Sequence, residues 1–486
     1  MHNARTFEHG SVKFPSCRQV IAAASVALSM VSLLSHAGEH SFLPNMLPFA
    51  NPFGLAATVS TMGRVDLANP FFRSLGTNGR ACVTCHQPST GWTITPEHAQ
   101  ARFEETAGTD PLFRVNDGSN SPTADVSTVD ARRAAYSMLL AKGLIRVGIA
   151  MPPDAEFELA EVDDPYRHAS ARELSLFRRP LPATNLKFLT AVMWDGRETF
   201  TDAASTNCIL GTANCFAPIH FDLADQTNSA TKGHAQALED LNAEQRDAIV
   251  AFETSLFTAQ VFDDEAGVLT TNHARGGPRH LQSEKFYFGI NDVVSGDYRT
   301  GTRFDENVFT LYSALESERS GAHSDSVEAR QAIARGQSLF NAKSIRITEV
   351  KGLNDDLSVP EVNGSCSTCH DTPNAGNHSI PATLDIGVAD ASRRTPDLPL
   401  YTLRHRLPPF ETIRTSDPGR ALVTGKWRDI GRFKGPVLRG LASRAPYFHN
   451  GSARDLNAVI DFYDGRFSIG LTRDEKADLV AFLRAL

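Results

Sequence analysis

Two pentapeptides of one form, Cys82-Val83-Thr84-Cys85-His86 and Cys366-Ser367-Thr368-Cys369-His370, hold four of the seven cysteines. Thiols at this spacing can add to the two vinyl groups on one edge of a porphyrin while the next residue, histidine, turns inward to ligate the iron. A zinc site would need four ligands and a second cysteine pair close by, whereas these pairs lie far apart and each carries its own histidine. The sequence therefore predicts two covalently bound haem c groups, attached through Cys82, Cys85, Cys366 and Cys369, with His86 and His370 as ligands of the first and second irons. Cys208 and Cys215 flank a short loop with no basic residue to lower a thiol pKa, and a local disulfide is expected there in an oxidising compartment.

All seven methionines precede residue 194. The region around the second pentapeptide thus has no methionine of its own for the His/Met ligation that raises the potential of electron-transfer cytochromes. An internal repeat positions the two sites: residues Leu241 to Leu256 align without gaps on Leu471 to Leu486, and both segments read as amphipathic helices. The second opens on a Thr472/Glu475 capping box and repeats Leu479, Val480, Phe482, Leu483 and Leu486 at helical spacing. Each attachment motif is followed at a distance by the same kind of closing helix. Further helical pattern runs over Ala131–Lys142 and Val327–Phe340, and strand signals are short and scattered. The expected fold is mainly α, with two cytochrome c-like domains at 51–267 and 326–486, each with one haem. The stretch 268–325 is expected as a linker or excursion, and Ala150–Asp154, His273–His280 and Leu400–Thr415 as loops.

Composition narrows the partners. The 486 residues have a net charge of −8, which offers phosphate or anionic lipid no general attraction, so nucleic acid is not expected as a partner. Arg5, Lys13 and Arg18 lead into an apolar run from Val20 to Leu34, and Ser35-His36-Ala37 supplies small residues at a cleavage point. Residues 1–37 read as a signal peptide, which predicts a periplasmic or secreted mature chain. The apolar run falls short of the roughly 20 residues of a spanning helix, so no stable membrane insertion is expected after cleavage.

Beyond the pentapeptides, the sequence resembles the bacterial di-haem cytochrome c peroxidases and the related MauG-type enzymes. The resemblance is carried by Met193-Trp194-Asp195-Gly196-Arg197, by Asp222-Leu-Ala-Asp-Gln226, by Phe252-Glu253-Thr254-Ser255-Leu256, by Phe433 to Arg439, and by Arg444-Ala-Pro-Tyr-Phe-His-Asn-Gly451. It implies that Trp194 lies between the haems as a relay and that Arg197 supports the same region. Where the peroxidases place methionine after the Tyr-Phe-His motif, the MauG type places tyrosine, which makes Tyr463 the implied second ligand of the haem 2 iron.

Heterolysis of a peroxide needs a group that takes a proton from the near oxygen and returns it to the departing one. The family uses a glutamate for this, about ten residues beyond the glutamine that Gln226 matches. Here that neighbourhood is Gly233-His234-Ala235-Gln236, so His234 is the expected proton carrier, helped by Gln226 and Gln236. The family's calcium site has Arg179-Pro180 in place of its asparagine, leaving Asp195, Asp429 and backbone carbonyls as candidate ligands. His378, eight residues after His370, is expected to line the haem edge or a propionate. The resemblance implies an exported oxidoreductase that reduces hydrogen peroxide at the first haem, with electrons relayed from the second and supplied by a small redox protein or an organic donor. A MauG-like or dioxygen-using oxidase or oxygenase of an organic substrate, and a plain di-haem electron carrier, are the alternatives.

Overall fold

A computed structural model describes residues 41–200, 207–208, 215–318 and 325–486; the expected signal peptide lies outside them. The chain is 31% helical with 19% strand, so the expectation of a mainly α fold is overturned. The strands escaped because most have only two to five residues, too few for alternation to show as a pattern.

Eight helices matter here: α1 (Pro96–Thr106), α2 (Val129–Ala135), α3 (Ser137–Lys142), α4 (Ile219–Gly233), α5 (Ala243–Ser255), α6 (Asp325–Ala342), α7 (Leu456–Phe467) and α8 (Arg473–Arg484). The expected helix over Ala131–Lys142 is present as α2 and α3, with Tyr136 between them at φ −100°, ψ 17°. The repeated helices are α5 and α8. Asn242 with Gln245, and Thr472 with Glu475, form reciprocal capping boxes at the same place in each, satisfying N–H groups that a helix start otherwise leaves open.

The helix expected to run to Leu256 ends at Ser255. Leu256 has turned extended, at φ −89°, ψ 130°, and begins the strand Leu256–Asp263. This strand pairs antiparallel with Gly54–Ser60, which pairs in turn with Pro48–Asn51; Gly267–Val268 completes a four-stranded sheet. Leu400–Thr415, expected as a loop, contains the strands Leu400–His405 and Thr412–Thr415, with Pro408-Pro409 between them. Phe157–Asp163 joins on the other side of Leu400–His405, so one sheet draws on both halves of the chain.

Near the C-terminus, α6 packs on α8. Gly336 makes the approach possible, because a Cβ there would sit 1.9 Å from the Asp478 carbonyl oxygen. Ile333, Phe340, Leu479, Phe482 and Leu483 fill this contact. No helix of the described residues is long and apolar enough to cross a membrane.

Candidate functional site

The two attachment turns have the same local construction. Each pentapeptide opens as a single 3-10 turn, at Cys82–Thr84 and Cys366–Thr368, whose threonine hydroxyl accepts the N–H of the residue before the first cysteine, Ala81 at 3.0 Å and Ser365 at 2.9 Å. The backbone N–H of His86 and of His370 reaches back to the first cysteine's carbonyl. His86 Nδ1 donates to the Trp92 carbonyl at 3.0 Å, and His370 Nδ1 to that of Gly376 at 2.6 Å. Each bond fixes the tautomer that leaves Nε2 free for a metal. Burial pushes both imidazoles down to about 4, so both rings are neutral.

The repeat reappears over these rings. Phe71 lies 6.3 Å from His86 and 5.1 Å from Phe252 of α5; Phe340 lies 5.9 Å from His370 and 5.6 Å from Phe482 of α8. Phe252 and Phe482 are matched positions of the aligned helices, and each reaches its histidine through one intervening phenylalanine.

Around the second turn, a cavity of about 240 Å³ is lined by Cys366, Cys369, His370, Trp194, Tyr463 and otherwise mostly apolar side chains. Arg179, Lys434 and Arg444 also line it, and none of the three forms an ion pair with a carboxylate among the described residues. Burial pulls Lys434 down to about 7, and both arginines to about 10. Two thiols and a neutral imidazole, with two guanidinium groups and a lysine that lack carboxylate partners in an apolar hollow, fit a haem: the thiols match its vinyl groups, and its two propionates would pair with the basic side chains. Tyr463 is half-buried, and desolvation, with Cys369 and Cys366 beside it, pushes its phenol up. A phenolate here needs a facing cation, which ferric iron would supply.

Trp194 donates its indole N–H to the Arg179 carbonyl at 2.7 Å and stands edge-on to His449 at 6.2 Å. Arg197 does not line this cavity; it bonds Asp195 at 3.0 Å. Asp195 is wholly buried and also binds Arg178 at 2.6 Å, which forks onto Asp417 at 2.7 and 2.9 Å. Burial would raise the Asp195 carboxyl, but Arg178 and Arg197 hold it at about 2. Asp429, the other carboxylate considered for calcium, accepts from Thr424 and faces Arg432 at 3.4 Å. Both carboxylates are engaged by guanidinium groups. His378 is buried and pairs with Asp371 at 2.9 Å.

At the first turn the structure adds a residue the sequence reading missed. His234, just past α4, has Nδ1 2.5 Å from Asp117 Oδ2, and Asp117 in turn pairs with Arg80. The carboxylate can only accept, so Nδ1 carries the proton and Nε2 is left as a base. Burial would raise Asp117, but Arg80 and His234 together hold it below the ordinary carboxylate range. The His234 carbonyl accepts from Asn78 at 2.8 Å and Arg80 at 3.3 Å, two side chains of the loop leading into Cys82. His234 also lies near enough to His86 for the two rings to interact electrostatically. No spacing rule links Asp117 to His234, since the two meet only in the fold.

Gln226 is half-buried on α4, roughly 12 Å along the helix axis from His234 at the usual rise, and among the described residues no hydrogen bond joins them. Gln236 contributes its backbone carbonyl, which accepts from Thr77 at 2.9 Å. Asp222, which opens the Asp222–Gln226 string, accepts the Phe200 N–H at 3.3 Å, and burial pushes it up to about 7. Cys208 and Cys215 stand directly opposite each other in a two-residue antiparallel pair; their side chains lie outside the described set.

No family model matches the chain. Among curated proteins, it is 28% identical over 229 residues to the cytochrome-c peroxidase IdrP1 of Pseudomonas sp. strain SCT, covering 43% of this chain and 54% of that protein. It is 35% identical over 136 residues to IdrP2 of Denitromonas iodatirespirans, 25% of this chain and 36% of that one. A cytochrome c551 peroxidase of Nitrosomonas europaea is 25% identical over 218 residues, 43% of this chain and 49% of that one. The chain thus spans about half or less of the length of these relatives. Among solved structures, a MauG-like protein associated with microbial copper homeostasis is similar at 16% identity and TM-score 0.34, over 86% of this chain and 88% of that one. A variant of the diheme peroxidase BthA from Burkholderia thailandensis is similar at 16% identity and TM-score 0.29, over 92% and 94%. Over the stretches aligned with the curated relatives, the chain is similar in sequence to bacterial cytochrome-c peroxidases.

Proposed function

We infer that the chain is an exported di-haem c oxidoreductase of peroxidase type, with haem units at about 51–267 and 326–486, that reduces hydrogen peroxide at the first haem with electrons relayed from the second. The observation that carries this reading is the contrast between the two attachment turns. The first has an Asp117–His234 pair beside it, whose imidazole is 40% exposed; the second has Tyr463 in a buried, mainly apolar cavity.

A haem bound at each site would supply an iron able to exchange electrons and, at the first, to react with peroxide. Cys82, Cys85 and His86 would hold the first, and Cys366, Cys369, His370 and Tyr463 the second. His234 Nε2 accepts the peroxide proton and returns it to the departing oxygen. Asp117 keeps the acceptor nitrogen turned outward and stabilises the imidazolium while the proton is held. Trp194, which lines the second cavity, would relay electrons between the two haems. As a ligand, Tyr463 would favour the ferric and higher states of the second iron over rapid reduction. Electrons would come from a small redox protein or an organic donor.

The test is the spin-state spectrum of the haem-loaded protein before and after hydrogen peroxide. A high-spin ferric signal that peroxide abolishes is expected. Two low-spin signals that peroxide leaves unchanged would reduce the chain to an electron carrier, and oxygen consumption without peroxide would make it a dioxygen-using enzyme.

A further inference from the structure

Asp292, Asp371 and His378 are all buried, and each presents a ligand atom within 4.8 Å of the other two. Asp371 directly follows the second attachment turn, His378 lies seven residues on, and Asp292 arrives from a loop of the middle segment. The bonding around them is uneven. Asp371 accepts the Ser379 N–H at 2.6 Å and meets His378 Nδ1 at 2.9 Å. One oxygen of Asp292 accepts from Val294 N, Ser295 N and Ser295 Oγ, at 3.2, 2.6 and 2.7 Å. Its other oxygen, Oδ2, is buried with no partner, on a residue only 2% exposed. Among the described residues, neither carboxylate pairs with a lysine or arginine.

A buried carboxylate oxygen is normally hydrogen-bonded, paired or bound to a metal. A divalent cation would give the orphaned Asp292 oxygen a partner and would lie within reach of the ligand atoms of Asp371 and His378. We propose that Asp292, Asp371 and His378 form a binding site for a first-row divalent cation, separate from both haem irons. A mixed carboxylate and imidazole donor set without sulfur suits Zn(II) or Mn(II) better than a soft ion or calcium, with water or a backbone carbonyl completing the shell.

The haem-loaded protein is stripped with a chelator, equilibrated by dialysis with micromolar Zn(II), and assayed for zinc by mass spectrometry and for haem by its pyridine adduct. One zinc per chain beyond the two haem irons is expected, with at least a tenfold weaker affinity in Asp292→Asn. Asp371→Asn serves as a second variant, and unchanged haem content shows that each variant is folded. Zinc retained no better than by an unrelated protein, or equally by the parent and both folded variants, would overturn the site and leave a proton-shared ion pair. Peroxide-induced spectra of the same samples report the haem chemistry separately, so either reading can fail without the other.

Discussion

Replacing Asp117 with asparagine keeps the side chain's volume and removes its charge. In the structure that side chain is 9% exposed, takes the His234 Nδ1–H at 2.5 Å and pairs with Arg80, whose side chain is 4% exposed. Removing one partner of a buried pair costs about 3–5 kcal/mol. Arg80 would still donate to the carbonyls of Pro111 and Leu112, both at 2.8 Å, and of His234, so the lower end, about 3 kcal/mol, is expected in thermal or denaturant unfolding. The chemical effect is separate. Without an ionised acceptor, Nδ1 no longer has to carry the proton and the imidazolium is less stabilised. A general base contributes about 10²–10⁴-fold; losing its orientation but keeping the ring should cost about 10²-fold in the peroxide-driven Soret change measured by stopped flow. His234→Ala should lose more, and Asp117→Glu should recover part of the rate. The acid limb of the rate's pH profile should also move in Asp117→Asn, which a purely structural role would not cause. A folded Asp117→Asn protein that matches the parent in rate and pH profile, while His234→Ala is slow, would refute the positioning role.

Three more expectations follow from other parts of the molecule. Tyr463→Phe should change the ferric spectrum of the second haem and accelerate its reduction, leaving the first haem's spectrum in place; spectra identical to the parent's would remove the tyrosine as a ligand. Burial pushes Glu253 up to about 8, against an unfolded value of about 4.3. Its contribution to stability is therefore complete below about 4.3 and lost as the pH climbs through about 8. Glu253→Gln should accordingly gain about 2–5 kcal/mol over the parent at pH 9 and nothing at pH 4, as measured by unfolding at both values. Gly336→Ala should lower stability by about 1–3 kcal/mol despite the better helix propensity, because the new Cβ meets the Asp478 carbonyl on α8; a raised melting temperature would show that the two helices can part at little cost.

What could be read from the amino-acid order alone was whatever short-range chemistry fixes. The attachment pentapeptides declare themselves because three reacting atoms must lie within one turn. The matched helices α5 and α8 follow from periodicity and from capping residues three positions apart, and their alignment already pairs Phe252 with Phe482. The break at Leu256 was not visible, because its extended conformation is imposed by pairing with Ser60, nearly two hundred residues earlier. The strand at 400–405 was hidden for the same reason, since it pairs with Phe157–Asp163; the strand at 412–415 pairs back onto it, and the fold class was misjudged with them. Tertiary packing alone brings Asp117 to His234 and gathers Arg179, Lys434 and Arg444 around the cavity at Cys366. Pairing between distant segments is set by the charge and surface buried when they meet, and no local pattern encodes that meeting.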